Sequence, residues 1–202
     1  GSDITGSIIA RGVGADLYEN WTDVSGFLMC DPRIVPEAKV INQLTYKELR
    51  ELSYMGASVL HSEAIFPVQK GKIAINIKNT FKPEDAGTMI VPSEQHVDGT
   101  NESIITGIAG KKNFTAITLE KSMMNAEVGF VQKVLAIIGR HGISFEHLPS
   151  GIDTMSLVID NEFLKDGILQ TLMDEIQQTV HPDKLYAHEN IALVATVGHG
   201  MA

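Results

Sequence analysis

The spacing of hydrophobic residues changes character midway along the chain. In "KIAINIKNT" Ile73, Ile75 and Ile77 alternate with polar residues, which predicts a strand with one buried face. In "LTYKELRELSYMG" Leu49, Leu52 and Met55 are spaced for one buried helical face, ending near Gly56. Thr45 followed three residues later by Glu48 predicts a capping box, with Leu44 and Leu49 placed as a hydrophobic staple around it. "GADLYENWTDV" predicts a short strand over 16–19 running into a Gly-punctuated loop. "KPEDAGT" predicts a turn, and "MIVP" a short strand closed by proline. Residues 1–91 thus mix helical and extended pieces, as an α/β domain does.

"PSEQHVDGTNES", residues 92–103, carries one aliphatic side chain among polar and turn-forming residues, the composition of a linker. Beyond it the rhythm is cleaner. "FTAITLE" (114–120) predicts a strand, and "EVGFVQKVLAIIGRHG" (127–142) a helix burying Val131, Val134, Leu135 and Ile138. "ISFEHLP" and "TMSLVID" predict two strands joined by a turn around Ser150-Gly151-Ile152-Asp153. "LKDGILQTLMDEIQQTV" predicts a helix with Ile168, Leu169, Leu172, Met173 and Ile176 on one stripe, and "DKLYAHE" a final strand. The order β-α-β-β-α-β over residues 104–188 is that of an α+β ferredoxin-like unit. "NIALVATVGHGMA", within residues 189–202, then reads as the first strand of a further unit. An unpaired apolar strand is an association hazard, so a longer chain or a dimer is expected.

Composition narrows the function. The 202 residues carry 16 Lys and Arg against 25 Asp and Glu, a net charge of −9 that disfavours nucleic acid. No apolar run approaches the roughly 18 residues of a membrane span, and the first residues have no signal-peptide pattern. The single cysteine, Cys30, fits a reducing cytoplasm. The seven histidines show no metal-ligand spacing, so no protein-held metal is expected. Opening on Gly1-Ser2-Asp3 without a methionine, the chain is expected to continue upstream.

Several residues admit a plain and a functional reading. In "ENWTDVSGFLMCDPR", Asp31-Pro32 can simply open a turn, Asp23 can cap a helix, and Arg33 can pair with either aspartate. Alternatively Thr22 and Asp23, at the carboxyl end of a strand, face a ligand whose phosphate Arg33 binds. Ser2-Asp3 can cap a short apolar helix, or present a hydroxyl and a carboxylate where helix amides attract anions. The lone G-x-G of "RGVGAD" is too little for a dinucleotide fingerprint. His61 reads as a structural histidine, Lys78-Asn79-Thr80 as a solvated strand end, and Met123 and Met124 as packing. Gly129 opens the helix of "VGF" where amides can meet a small-molecule carboxylate, with Glu146 and His147 on the neighbouring strand.

Taken together these stretches resemble an aspartokinase over nearly the whole chain. "GSDITGSII" resembles the family's substrate loop, and "ADLYENWTDVSGFLMCDPRIVPEAKVI" is similar to its nucleotide loop. "LTYKELRELSYMGASVLH" resembles the helix that follows, and "IKNTFKPEDAGTMI" the end of the kinase domain. "ITGIAGKKNFTAITLEKS", "EVGFVQKVLAIIGRHGISFEHLPSGIDTMSLVI" and "NIALVATVGHGMA" resemble its regulatory ACT domains.

The resemblance implies the C-terminal part of a three-layer α/β amino-acid-kinase domain over 1–91, a linker over 92–103, a first ACT domain over 104–188, and the first strand of a second over 189–202. It implies transfer of phosphate from MgATP to the β-carboxylate of L-aspartate, the entry to lysine, threonine and methionine synthesis. By the same resemblance Ser2 and Asp3 orient the aspartate and the reacting phosphate, Asp3 as catalytic residue, and Thr22, Asp23 and Arg33 contact ATP. Met124, Gly129, Phe130, Glu146 and Ser150 surround an effector amino acid, lysine in preference to threonine, with a homodimer formed through the ACT domains. Two departures stand out. Ser58-Val59-Leu60-His61-Ser62 replaces the family's Lys-Val-Leu-His-Pro, and the N-terminal Lys-Phe-Gly-Gly phosphate loop is not among these residues. This span by itself is therefore expected to be inactive. The alternative function is a non-enzymatic amino-acid sensor built on residues 104–202, and a third reading, another amino-acid kinase, is disfavoured by the ACT-like half.

Overall fold

A computed structural model describes residues 2–57, 59–60, 62–97 and 104–198. Ser58, His61, residues 98–103 of the expected linker and the end of the last expected strand lie outside the described residues. The chain forms two units, Gly1–Lys111 with Val194–Ala202, and Lys112–Leu193.

The first unit contains α1 (Ser2–Val13), β1 (Leu17–Thr22), β2 (Gln43–Thr45), α2 (Tyr46–Tyr54), α3 (Ile65–Gly71), β3 (Ala74–Asn79) and β4 (Thr88–Val91). Its sheet has the order β1-β3-β4-β2. β1 runs parallel to β3 and β2 parallel to β4, while β3 and β4 are antiparallel. The alternation in "KIAINIKNT" forms the central strand: Ile75 and Ile77 are fully buried, and Asn79 continues the same face at its carboxyl end. The capping box is present, with Glu48 Oε2 accepting from the Thr45 amide at 2.7 Å and Thr45 Oγ1 accepting from the Glu48 amide at 3.2 Å. Leu44 and Leu49, the two ends of the staple, are fully buried. α1 packs on α3, and Ser7 Oγ donates to the Ala64 carbonyl at 2.5 Å.

Two glycines are dictated by crowding. At Gly87, φ is 80° and a Cβ would lie 2.0 Å from the Ile77 carbonyl oxygen. At Gly26, φ is 120° and a Cβ would lie 2.3 Å from Thr88 Oγ1. These glycines let the β3–β4 turn and the loop after β1 lie directly against each other.

The second unit is entered along β5 (Gly107–Glu120), followed by α4 (Phe130–Arg140), β6 (Thr154–Asp160), α5 (Ile168–Val180) and β7 (Lys184–Val197). The sheet order is β6-β5-β7, with β5 and β6 antiparallel from Phe114↔Asp160 to Glu120↔Thr154. Met155, Leu157 and Ile159 share one face of β6 and pack with Phe130, Val134 and Ile138 of α4 and Leu172 and Ile176 of α5. Both helices thus cover one face of the sheet, the ferredoxin-like α+β arrangement.

Besides β1 reaching Thr22, β5 starting at Gly107 and the added helix α3, three differences bear on the second unit. Residues 143–149 do not form a regular strand: Val158 faces two residues, accepting from the Glu146 amide at 2.8 Å and donating to the His147 carbonyl at 3.0 Å. Two residues opposite one is a bulge, and Pro149, which has no amide hydrogen, limits the pairing further. Gly129, with φ at 78°, starts α4 later than expected, after a 3-10 turn over Met124–Ala126. Finally, the two runs "DKLYAHE" and "NIALVATV" form one strand, β7. The polar break appears inside it as Asn190 in the left-handed conformation (φ 57°), matched by Asn113 (φ 81°) in β5.

Candidate functional site

Parallel strands β1 and β3 end together at Thr22 and Asn79. In open α/β sheets such carboxyl ends are where ligands bind. Beside them a cavity of about 660 Å³ opens in the first unit. Its lining combines Asp23, Gly26, Cys30, Asp31 and Arg33 of the β1–β2 loop, Asn79, the end of α2 at Leu52 and Met55, and Ile108–Gly110 of β5.

The loop is held from below. Thr88 Oγ1 accepts from the Phe27 amide at 2.9 Å and donates to the Ile41 carbonyl at 2.7 Å. Ser25 Oγ donates to Asp85 at 2.5 Å and accepts from Asn79 Nδ2 at 2.8 Å, while Asn79 Oδ1 accepts from the Phe81 amide. Asp31 accepts a two-pronged contact from Arg33, at 3.0 Å from Nε and 2.7 Å from NH2. Those hydrogen bonds hold the Asp31 carboxyl below its ordinary value. The ion-pair reading of this turn is therefore realised, yet the Arg33 side chain stays 87% exposed at the cavity rim, ready to exchange partners.

Asp23 and Arg33 are thus brought together at one cavity. Thr22 is adjacent but does not line it: its hydroxyl donates to Asp23 Oδ1 at 3.2 Å and its carbonyl accepts from the Thr80 amide at 2.8 Å. No helix follows Asp23 before β2 among the described residues, so it caps none. Ser2 and Asp3 lie at the head of α1, outside the lining, where Asn20 Nδ2 donates to Asp3 Oδ1 at 3.2 Å and Tyr18 Oη donates to the Asp3 carbonyl at 3.2 Å. Burial pushes the Tyr18 phenol up, the Asn20 hydrogen bond opposes this, and the Asp3 charge adds to the rise. Lys78 reaches the Asp85 carbonyl and lies 5.7 Å from the Trp21 ring centre. Asn79, expected at a solvated strand end, is instead buried, and its pairing with Ser25 spans 54 residues and leaves no local pattern in the sequence.

A second cavity, about 240 Å³, lies in the second unit at the start of α4. Met124, Gly129, Phe130 and Ser150 line it; Glu146 does not, its amide being engaged by the bulge opposite Val158. The Met123 amide donates to Asp153 Oδ1 at 2.8 Å and the Asn125 amide to the Ile152 carbonyl at 3.1 Å, drawing the two loops together. Gly129 provides no side-chain cap to α4, and the Phe130 amide at its start donates to the Glu127 carbonyl at 3.2 Å. Glu127, also in the lining, receives Lys121 at 2.5 Å and Lys133 at 2.7 Å, which draw its carboxyl down to about 2. The Glu127–Lys133 separation of six residues matches no helical pairing, so no periodicity pointed to it.

Comparison with known proteins gives a consistent result. The profile of the amino acid kinase family matches residues 1–79. Aspartokinase 3 of Bacillus subtilis is 40% identical over all of this chain, which spans 43% of that relative. Clostridium acetobutylicum aspartate kinase is 60% identical with a TM-score of 0.91, covering 100% of this chain and 46% of its own. Escherichia coli aspartokinase III superposes with a TM-score of 0.75 at 28% identity in complex with aspartate and ADP, covering 100% of this chain and 44% of its own. Its complex with lysine and aspartate gives 0.75 at 29% identity, covering 98% and 43%. The chain thus spans less than half the length of the proteins it resembles.

Proposed function

The chain belongs to the aspartokinase family, and we propose that it supplies the nucleotide side of the kinase domain (1–91), a linker (92–103), a first ACT domain (104–188) and the opening strand of a second (189–202). The reaction is transfer of the γ-phosphoryl group of MgATP to the β-carboxylate of L-aspartate, as the first step toward lysine, threonine and methionine. The observation that carries this reading is the cavity at the carboxyl ends of β1 and β3, with Asp23 and Arg33 at its rim.

Phosphoryl transfer depends mainly on positioning and charge neutralisation. Arg33 can leave Asp31 for a phosphate, exchanging one two-pronged contact for another. Asp23 meets the nucleotide from the end of β1, with Thr22 behind it donating to its carboxylate, and Ser2 and Asp3 orient the aspartate and the transferred group. Mg²⁺ keeps phosphate and water ligands plus one or two carboxylates, so the donor set fits if Asp23 supplies the carboxylate. The ion would neutralise charge on the phosphates. The apolar stretch of the lining, Leu52, Met55 and Ile108, suits a base ring.

In the second unit lysine is the preferred effector over threonine, by analogy with the E. coli relative crystallised with it. Its carboxylate would meet the α4 amides at Gly129, between Met124, Phe130 and Ser150, with Glu146 nearby in sequence to the same loop. The edge position of β7 supports pairing with a second copy of the chain. No helix among the described residues is long and apolar enough to cross a membrane, and the reaction suits the cytoplasm.

Calorimetric titration of the 202 residues with MgATP and with each amino acid tests the reading, with turnover measured on a full-length protein. Lysine heat without any nucleotide heat would favour the amino-acid sensor instead.

A further inference from the structure

Asn20 occupies a place where the sheet calls for an apolar side chain. Along β1, residues 18, 20 and 22 point inward, and Asn20 is only 8% exposed. A buried amide costs free energy unless it is hydrogen-bonded. Its Nδ2 donates to Asp3 Oδ1 at 3.2 Å and to Tyr18 Oη at 3.0 Å. Tyr18 Oη in turn donates to the Asp3 backbone carbonyl at 3.2 Å. The ring of Tyr18 presses on α1 so closely that a Cβ at Gly6 would fall 2.6 Å from its oxygen.

Support of the helix end would explain a polar residue here, but the polarity is wrong for it. A helix N-terminus exposes N–H donors and is stabilised by an acceptor. Asn20 presents a donor, and directs it to the carboxylate of the one acidic residue in the first turn of α1. The arrangement holds a carboxylate in one orientation rather than finishing a helix.

We propose that Asn20 is a positioning residue for Asp3, oriented by Tyr18, and that it fixes the Asp3 carboxylate in the geometry phosphoryl transfer needs. This rests on the reading of Asp3 as a residue of the reacting centre. Asn20 touches neither nucleotide nor aspartate in this scheme; it acts only through Asp3.

The test is a kinetic cycle in the full-length protein. Asn20→Leu preserves volume and removes the donor, and kcat is expected to fall about 10- to 100-fold, the cost of misplacing a reacting group by ~1 Å. KM for MgATP is expected to stay within about twofold, because the nucleotide cavity is untouched. In an Asp3→Asn background the same Asn20→Leu change is expected to cost less than about twofold, since both act through one carboxylate. An unchanged kcat in Asn20→Leu, or losses that multiply in the double variant as a purely structural role requires, overturns the proposal. A normal kcat in Asp3→Asn alone overturns the reading of Asp3 and the proposal with it. Should Asn20→Leu fail to fold, Tyr18→Phe is read instead: kcat about 3- to 10-fold lower sustains the proposal, and an unchanged kcat overturns it.

Discussion

The two cavities are assembled in opposite ways. The smaller is local, built from residues 124–132 and a loop at 150–151 tied to them by backbone hydrogen bonds. The larger draws on the β1–β2 loop, the end of α2, the end of β3 and the first residues of β5, segments spread over 23–110. The local site shares its side chains with the hydrophobic core, since Met124 and Phe130 belong to both. The dispersed site has its polar groups on a loop held by remote partners such as Asn79, Asp85 and Thr88. Composition and fold should therefore be inseparable in the first case and separable in the second.

Phe130→Ala tests that contrast most severely. Phe130 is 2% exposed and packs in the core of the second unit. Truncation should destabilise that unit by about 3–5 kcal/mol and abolish effector binding together with the fold. Thermal unfolding followed with and without amino acid measures both; loss of binding at unchanged stability would break the comparison.

Glu48 offers the strongest perturbation of the dispersed site. Its carboxylate, in a residue 4% exposed, accepts from the Thr45 amide and hydroxyl, each at 2.7 Å, and from Thr106 Oγ1 at 2.5 Å. Glu48→Ala leaves buried donors unmatched, and should cost the first unit about 2–3 kcal/mol. Burial pushes the Glu48 carboxyl up, but the Thr106 and Thr45 hydrogen bonds prevail and hold it below 4.5. A depressed folded value means its contribution is complete above pH 4.5 and disappears as pH falls through the lower folded value. The stability difference between the native protein and Glu48→Gln should close over that acidic range, as pH-dependent denaturation would reveal; a gap widening with acid would contradict it.

The same contrast explains what could be read in the sequence. Regular elements were legible where periodicity met a terminator: the Thr45–Glu48 box, the Ile73–Ile77 alternation and the α5 stripe all stand where expected. Residues 143–149 misled because their apolar and polar alternation is strand-like, while a bulge and Pro149 break the ladder. The break at Asn190 looked like a strand end because asparagine favours turns, yet a left-handed residue can bend a strand without ending it. Of the residues expected around the effector, four line one cavity, three from one short segment and Ser150 from a loop hydrogen-bonded to it. Those expected around ATP came together only in part, and Asn79, Ser25 and Asn20 depend on partners that no local pattern names.

Arg33→Ala should separate binding from stability in the dispersed site. The side chain is 87% exposed, so the thermal unfolding midpoint should stay essentially unchanged. Loss of a charge-assisted contact to a phosphate should weaken MgATP binding roughly tenfold or more, read by calorimetry. Full affinity in Arg33→Ala would remove the arginine from the nucleotide site, whereas Arg33→Lys is expected to recover only part of it because an ammonium lacks the planar fork.

Glu127→Gln gives the smallest expected effect and the finest discrimination. Glu127 lies in the smaller cavity, the one proposed for the effector, and bridges Lys121 at 2.5 Å and Lys133 at 2.7 Å. Exposed ion pairs add little to stability because water and salt screen them. The two lysines hold the carboxyl at about 2, down from 4.5. Its contribution is therefore present above pH 4.5 and lost as pH falls from there toward about 2. Over that window the native protein and Glu127→Gln should converge in thermal stability, and added salt at neutral pH should narrow the gap between them. If the pair only shapes the loop, effector affinity in Glu127→Gln should change little with salt. If Glu127 instead meets a cationic effector side chain directly, affinity should drop for lysine and not for threonine. Equal losses for both amino acids would show that the cavity recognises the backbone groups they share rather than the side chain.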